Sequence, residues 1–324
     1  MIFGRILLVV FAVFPGVVQG GFDPWKETAR YELTYDVNCS SLVASQQHVR
    51  LWIPLPRTST HQRLVRYDVD ASVGYAELTD DYGNRMLFLE PVRGAKGSCH
   101  VTVRMFVERK VVHPSVANAS ASGVDDPAKF LGATSKVPLG GVVGAVARKV
   151  SARITNPAMR IRAFYDYVVS NMRYSKEGKG WGHGDAVRAC SVKYGNCTDF
   201  HSLLMGLSRS QGIASRFIIG FAVPAQESQG RIKGYHCWAE VFDKTTGWIA
   251  VDASEAFKSG KRDAYFGSLP SDRVAFTVGR DLTLRPPQSG PPLNFFIYPY
   301  AELDQKPVSN VPWTLTYQRV DHPG

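Results

Sequence analysis

The sequence predicts an α+β protein, with an N-terminal antiparallel β-sandwich domain followed by a second domain in which helices pack on an antiparallel sheet. Three observations carry this. Residues 28–112 alternate apolar and polar side chains in short runs separated by turn residues. Past residue 140 the apolar period lengthens to that of a helix. Beyond Ser215 two further alternating runs flank Asp243-Lys244-Thr245-Thr246-Gly247, the pattern of a hairpin.

Taken in order, the first twenty residues read as a signal peptide. Arg5 supplies the positive charge, and Ile6 to Phe14 form an apolar run of nine residues, too short to span a bilayer. Val18-Gln19-Gly20 then offers a cleavage site, so the mature chain is expected to begin near Gly21 and to be periplasmic or secreted. Residues 21–112 make the sandwich, with strands expected at Tyr31 to Tyr35, His48 to Ile53, Arg85 to Glu90 and His100 to Val107, and no helix between them. Residues 113–140 are rich in Pro, Gly, Ser and Asp and read as a linker.

The second domain is expected over 141–290. Ile161, Phe164, Tyr165, Val168 and Val169 mark one helix by their spacing. Asn196 can cap a second helix whose buried stripe is Phe200, Leu203, Leu204 and Leu207, ending at Gly212. Strands follow at Ser215 to Val223, Tyr235 to Phe242 and Trp248 to Asp252. Residues 291–324 read as a C-terminal strand extension, with strands at Asn294 to Tyr300 and Trp313 to Val320.

The formal net charge is +10, but Lys and Arg are scattered and form no dense basic run. That pattern argues against a nucleic-acid partner and for a soluble surface. No stretch after the leader is apolar for long enough to cross a membrane as a helix, so no integral membrane segment is expected in the mature chain. Of the five cysteines, Cys39 and Cys99 both lie in the first domain and can pair. The odd count leaves at least one of Cys190, Cys197 and Cys237 free or in an intermolecular bridge.

Chemistry concentrates on three residues. Cys197 sits in Tyr194-Gly195-Asn196-Cys197-Thr198-Asp199-Phe200, at the start of the capped helix. There the backbone N–H groups and the helix dipole favour a thiolate and can line an oxyanion hole. His236 and Asp252 lie on the two arms of the hairpin. If Phe242 faces Trp248 across the loop, Trp238 faces Asp252 and His236 is its diagonal neighbour on one face of the sheet. A thiol, an imidazole and a carboxylate are the components of nucleophilic acyl transfer. A zinc site drawn from Cys190, Cys197, His201 and Cys237 is disfavoured, because no CxxC or HxxxH spacing occurs. No metal and no cofactor is expected.

The runs Gly195-Asn196-Cys197-Thr198-Asp199-Phe200, Gly212-Ile213-Ala214-Ser215-Arg216, His236-Cys237-Trp238-Ala239-Glu240, and Gly247-Trp248 with Val251-Asp252 resemble, in order and spacing, those of the transglutaminase-like superfamily, in its exported bacterial form. The resemblance is strongest over 155–256. It implies a papain-like core with Cys197 as nucleophile, His236 as general base and acid, and Asp252 as orienting carboxylate. It also implies attack on an amide carbonyl of a protein or peptide substrate, in this compartment one of the cell envelope, through a thioester. An amine acceptor then gives transamidation and water gives hydrolysis. Tyr174 and Trp181 precede Cys197 at distances that make them candidates for the oxyanion hole or the cleft wall. The competing reading is a non-catalytic binding protein with a latent cleft of this kind.

Overall fold

The computed structural model describes residues 22–45, 47–90, 99–114 and 125–321. The expected signal peptide therefore lies outside the described residues. The N-terminal half contains β1 (Ala29–Asn38), a short helix α1 (Ser40–Val43), β2 (Val49–Pro54), β3 (Gln62–Ala71), β4 (Tyr75–Thr79), β5 (Arg85–Leu89) and β6 (His100–Arg109). The helical region contains α2 (Gly141–Ser151), α3 (Pro157–Asn171), β7 (Arg173–Tyr174), α4 (Ala186–Val192), β8 (Tyr194–Gly195) and α5 (Cys197–Arg209). Then come β9 (Ser215–Ala222), β10 (Gln229–Arg231), β11 (His236–Asp243), β12 (Gly247–Val251), α6 (Ala253–Ser259), β13 (Arg273–Val278), β14 (Tyr300–Leu303), β15 (Lys306–Pro307) and β16 (Trp313–Arg319). The protein is α+β, with its main sheets antiparallel.

Two five-stranded sheets form the sandwich, in the orders β10-β16-β1-β6-β3 and β15-β14-β2-β5-β4. Their inward residues, Leu33, Tyr35 and Val103 from one and Leu51, Ile53 and Leu87 from the other, share one buried apolar cluster. Residues 21–112 supply only part of each sheet. The C-terminal β16 lies between β10 and β1, pairing Tyr31 with Arg319 and Val37 with Trp313, and β14 pairs with β2. A disulfide joins Cys39 to Cys99, while Cys190, Cys197 and Cys237 are free and buried.

Three sequence expectations need correction. Asn294 to Tyr300 is largely irregular and its strand begins only at Tyr300. The Thr277 hydroxyl takes up a backbone group here that a ladder would use elsewhere, donating to the Phe296 carbonyl. The second correction is α1, one helical turn between β1 and β2, closed by Leu42 and Val43 packing inward. The third is a pair of strands that was not expected, β3 and β4. β3 is a charged edge strand, whose Arg66 and Asp68 face ion-pair partners Glu32 and Arg104.

The second region is built around α5. Asn196 and Asp199 form a capping box at its start, and every residue from Cys197 to Arg209 is buried. α3 is capped by Asn156, whose side chain accepts from the Met159 N–H, with Pro157 opening the first turn. Helix α5 rests on the four-stranded sheet β12-β11-β9-β13. Sheet packing is tight enough that a Cβ on Gly220 would lie 1.9 Å from the Val274 carbonyl oxygen, so that strand crossing requires glycine.

The disulfide closes a loop with a sequence separation of 60. The double variant Cys39→Ser/Cys99→Ser is expected to lose about 4 kcal/mol of stability by the loop-entropy relation. Urea unfolding of oxidised wild type and variant measures it, and equal midpoints would contradict the assignment.

Candidate active site

Three helix and strand ends converge at one point. Cys197 is the first residue of α5, His236 the first of β11, and Asp252 the N-cap of α6. The hairpin register pairs Phe242 with Trp248 and Ala239 with Val251, which puts Trp238 opposite Asp252. His236 Nε2 and Asp252 Oδ2 are 2.6 Å apart. The carboxylate can only accept, so Nε2 carries the proton and Nδ1 is left for the Cys197 sulfur, with which the ring forms a side-chain hydrogen bond. The structure thus brings Cys197, His236 and Asp252 together, with Cys197 3% and His236 7% exposed.

Asp252 has two tasks. Its Oδ1 accepts from the Glu255 N–H and the Ser254 hydroxyl, capping α6, while Oδ2 holds His236. Burial opposes its charge, but His236, by its charge and its hydrogen bond, and after it Arg273 hold the carboxyl far below the usual range. Burial likewise opposes protonation of His236, and the Asp252 carboxylate overcomes it, lifting the imidazole to about 9. Arg273 works the other way on His236; its Nε lies 3.7 Å from Asp252 Oδ2.

Cys197 is held well below the ordinary thiol value. The leading cause is a hydrogen bond from the Cys237 thiol; burial opposes it, and His236 adds to it. Cys237 is pushed up, by burial first and by the neighbouring Cys197 second, so it stays a thiol and donates. Both shifts favour a thiolate beside an imidazolium, a state matched to nucleophilic attack.

The start of α5 supplies hydrogen-bond donors. The first amides of a helix lack intrahelical partners, and here the Thr198 N–H is taken by the Asn196 side chain while that of Cys197 meets no acceptor among the described residues. Tyr174 pairs with Gly195 in the short β7–β8 ladder, two residues before Cys197. Its phenol is pushed up, by burial and then by the charge of Cys197. Trp181 is half-buried in the loop that Asp199 fastens: the Asp199 carboxylate accepts from the N–H groups of Gly182 at 2.7 Å, Gly184 at 3.1 Å and Asn196 at 3.0 Å. The Trp181 indole makes no hydrogen bond to a described residue, so of the two aromatic candidates Tyr174 has the stronger structural link to Cys197.

One bridging residue escaped the sequence reading. The Tyr235 hydroxyl lies 3.0 Å from Asn196 Nδ2 and 2.9 Å from Thr198 Oγ1, tying both neighbours of Cys197 to the residue before His236. Its position directly before His236 was the available signal, but nothing in the alternation of the strand marks the contact. As to metals, ligand atoms of His236, Asp252 and Glu255 lie within 4.8 Å of one another. Each is already engaged, His236 with Asp252 and Glu255 with Lys258 and Arg273. Beyond Glu255 and Arg273 opens a cleft of about 860 Å³, walled by Trp25, Tyr265, Lys261 and Arg319.

Residues 144–253 match the transglutaminase-like superfamily. Over 323 residues the chain is 27% identical to an uncharacterised protein of Haemophilus influenzae, covering 86% of this chain and 87% of that one. It is 24% identical over 266 residues to an uncharacterised protein of Mycobacterium leprae, covering 78% of this chain and 88% of the relative. A candidate cysteine protease from Cytophaga hutchinsonii has the same fold, with a TM-score of 0.56 at 14% identity, over 92% of this chain and 93% of that one.

The thiol network makes a pH-dependent prediction. Alkylation of Cys197 by iodoacetamide should show its inflection below the ordinary thiol value, and both His236→Ala and Cys237→Ala should move it upward. Peptide mapping of the label across a pH series measures this. An inflection unmoved by Cys237→Ala would show that the second thiol does not stabilise the first.

Proposed function

We propose, from the premise that residues 144–253 are a transglutaminase-like core, that this protein is an exported cysteine acyl-transfer enzyme acting on amide bonds of proteins or peptides. The observation that carries the reading is the 2.6 Å contact of His236 with Asp252 while the other face of the imidazole meets the Cys197 sulfur.

In this reading the Cys197 thiolate attacks the amide carbonyl carbon. The developing oxyanion is met by the Cys197 N–H, with the Tyr174 hydroxyl as a second donor. Imidazolium His236 gives its Nδ1 proton to the departing nitrogen, the C–N bond breaks, and a thioester remains. Neutral His236 then takes a proton from an incoming amine or water, which attacks the thioester. The C–S bond breaks, the thiolate returns, and the product is a new amide or a free carboxylate. Asp252 keeps the imidazole in the working tautomer and stabilises its charged form. The cleft beside Glu255 and Arg273 offers a concavity for the rest of a substrate.

Export is supported by the leader-like first twenty residues and by the Cys39–Cys99 disulfide, which suits an oxidising compartment such as the periplasm or exterior. The described residues contain no helix long and apolar enough to cross a membrane. A purely binding role has no use for a thiol, an imidazole and a carboxylate held in this relation.

Two outcomes follow for the purified protein. Incubation with a Gln-containing protein and a fluorescent primary amine, in parallel with a peptide-hydrolysis assay, should reveal one activity that Cys197→Ala lowers at least about a thousandfold without unfolding the protein. Undiminished activity in Cys197→Ala would refute the reading. The pH profile should be bell-shaped. Activity rises as Cys197 ionises, below the ordinary thiol value, and falls above about 9, where His236 loses the proton that the leaving nitrogen needs.

A further inference from the structure

We infer that His201 is a positioning residue that sets the distance between the nucleophile and the orienting carboxylate. The inference rests on the reading of Cys197, His236 and Asp252 as the reacting set. His201 lies one turn after Cys197 on α5 and is fully buried. Its Nδ1 is 2.7 Å from the Cys197 carbonyl oxygen, and its Nε2 is 3.1 Å from the backbone nitrogen of Ala253. A carbonyl can only accept and an amide N–H can only donate. The proton therefore sits on Nδ1, and Nε2 is an acceptor.

One neutral imidazole thus spans from the first residue of α5 to the first residue of α6. Both attachments are backbone groups of the reacting residues or their neighbours: Cys197 itself, and the residue that follows Asp252. The rigid width of the ring, rather than a loop, fixes how far the sulfur stands from the carboxylate. Protonation at Nε2 would set N–H against N–H at Ala253, and burial holds the ring neutral against the nearby Asp252. Nδ1 also lies 3.6 Å from the Cys237 sulfur, so the same ring backs the thiol that donates to Cys197. With both nitrogens engaged by the protein, His201 has no lone pair to offer a metal, and its chemistry is that of a spacer.

Three substitutions separate the two attachments. His201→Asn retains a donor near the Nδ1 position but reaches no further. His201→Gln places an acceptor near the Nε2 position but loses the donor. His201→Phe retains bulk and loses both. The readout is the pH inflection of Cys197 alkylation, combined with kcat and KM in whichever assay detects the wild-type activity. Expected is an upward move of the inflection in His201→Phe by about one unit, which slows alkylation about tenfold at pH below both inflections. Asn and Gln should give intermediate shifts, and kcat should fall in the same order while KM stays within about twofold. Circular dichroism and thermal unfolding show which variants are folded, and the Asn and Gln variants carry the test if Phe does not fold. Folded variants with the wild-type inflection and kcat, even if less stable, would overturn the inference and leave His201 a packing residue. An ordinary inflection in wild type, together with activity retained in Cys197→Ala, would instead remove the underlying reading.

Discussion

The buried carboxylate of Asp199 is the point on which the geometry of this molecule hangs. A carboxylate with no exposed surface is costly unless its oxygens are filled. Here three backbone N–H groups fill them: Asn196 in front of the helix, and Gly182 and Gly184 from the preceding loop. That one side chain fixes the start of α5, and hence the direction of the Cys197 sulfur, and fastens the loop bearing Trp181 to the same spot. Arg280 secures the loop from the far side, with bonds to the Gly184 carbonyl and the Ser202 hydroxyl. Gly195 is part of the bargain, because a Cβ there would lie 2.2 Å from an Asp199 oxygen.

The electrostatics are arranged in two tiers around that frame. On one side a thiol donates to a thiolate; on the other a carboxylate leans on an imidazolium. Arg273 stands behind the carboxylate, also bound to Asp272 and near Glu255, so the acidic cluster is nearly balanced inside the protein. This counterweight limits how firmly His236 holds its proton. An imidazolium bound too tightly could not release it to a leaving group, and one bound too loosely would leave the sulfur unpaired. Burial sharpens both interactions by excluding water from the space between the groups.

Much of this was legible in the residues and some was not, for physical reasons. The Asn196 cap is a local signal, because a side chain two residues from its target decides it. The register of the hairpin was equally readable, since a short loop joins its arms and Phe242 meets Trp248 as the alternation requires. β3 alternates from Arg66 to Ala71, but a bulge between Leu64 and Arg66 breaks the period, and past Gln62 none of its residues is fully buried. The short helices α4 and α6 have too few turns to show a period, and α6 exists because Asp252 caps it. The Tyr235 bridge to Asn196 and Thr198, and the His201 span to Ala253, depend on distant segments meeting. Sequence spacing gives no measure of such meetings.

The placement of β16 has a consequence for how the molecule comes into being. It lies in the interior of the sheet that β1 begins, and β14 likewise flanks β2. β1 and β2 must wait for β16 and β14 before their sheets are complete. A chain with such distant pairings folds late, because most of its backbone must be free before the ends can meet. Throughout synthesis β1 and β2 present bare edges that invite pairing with a stranger. The order of assembly is thus written into the topology: each of these two sheets stays open along one edge until its late strand arrives.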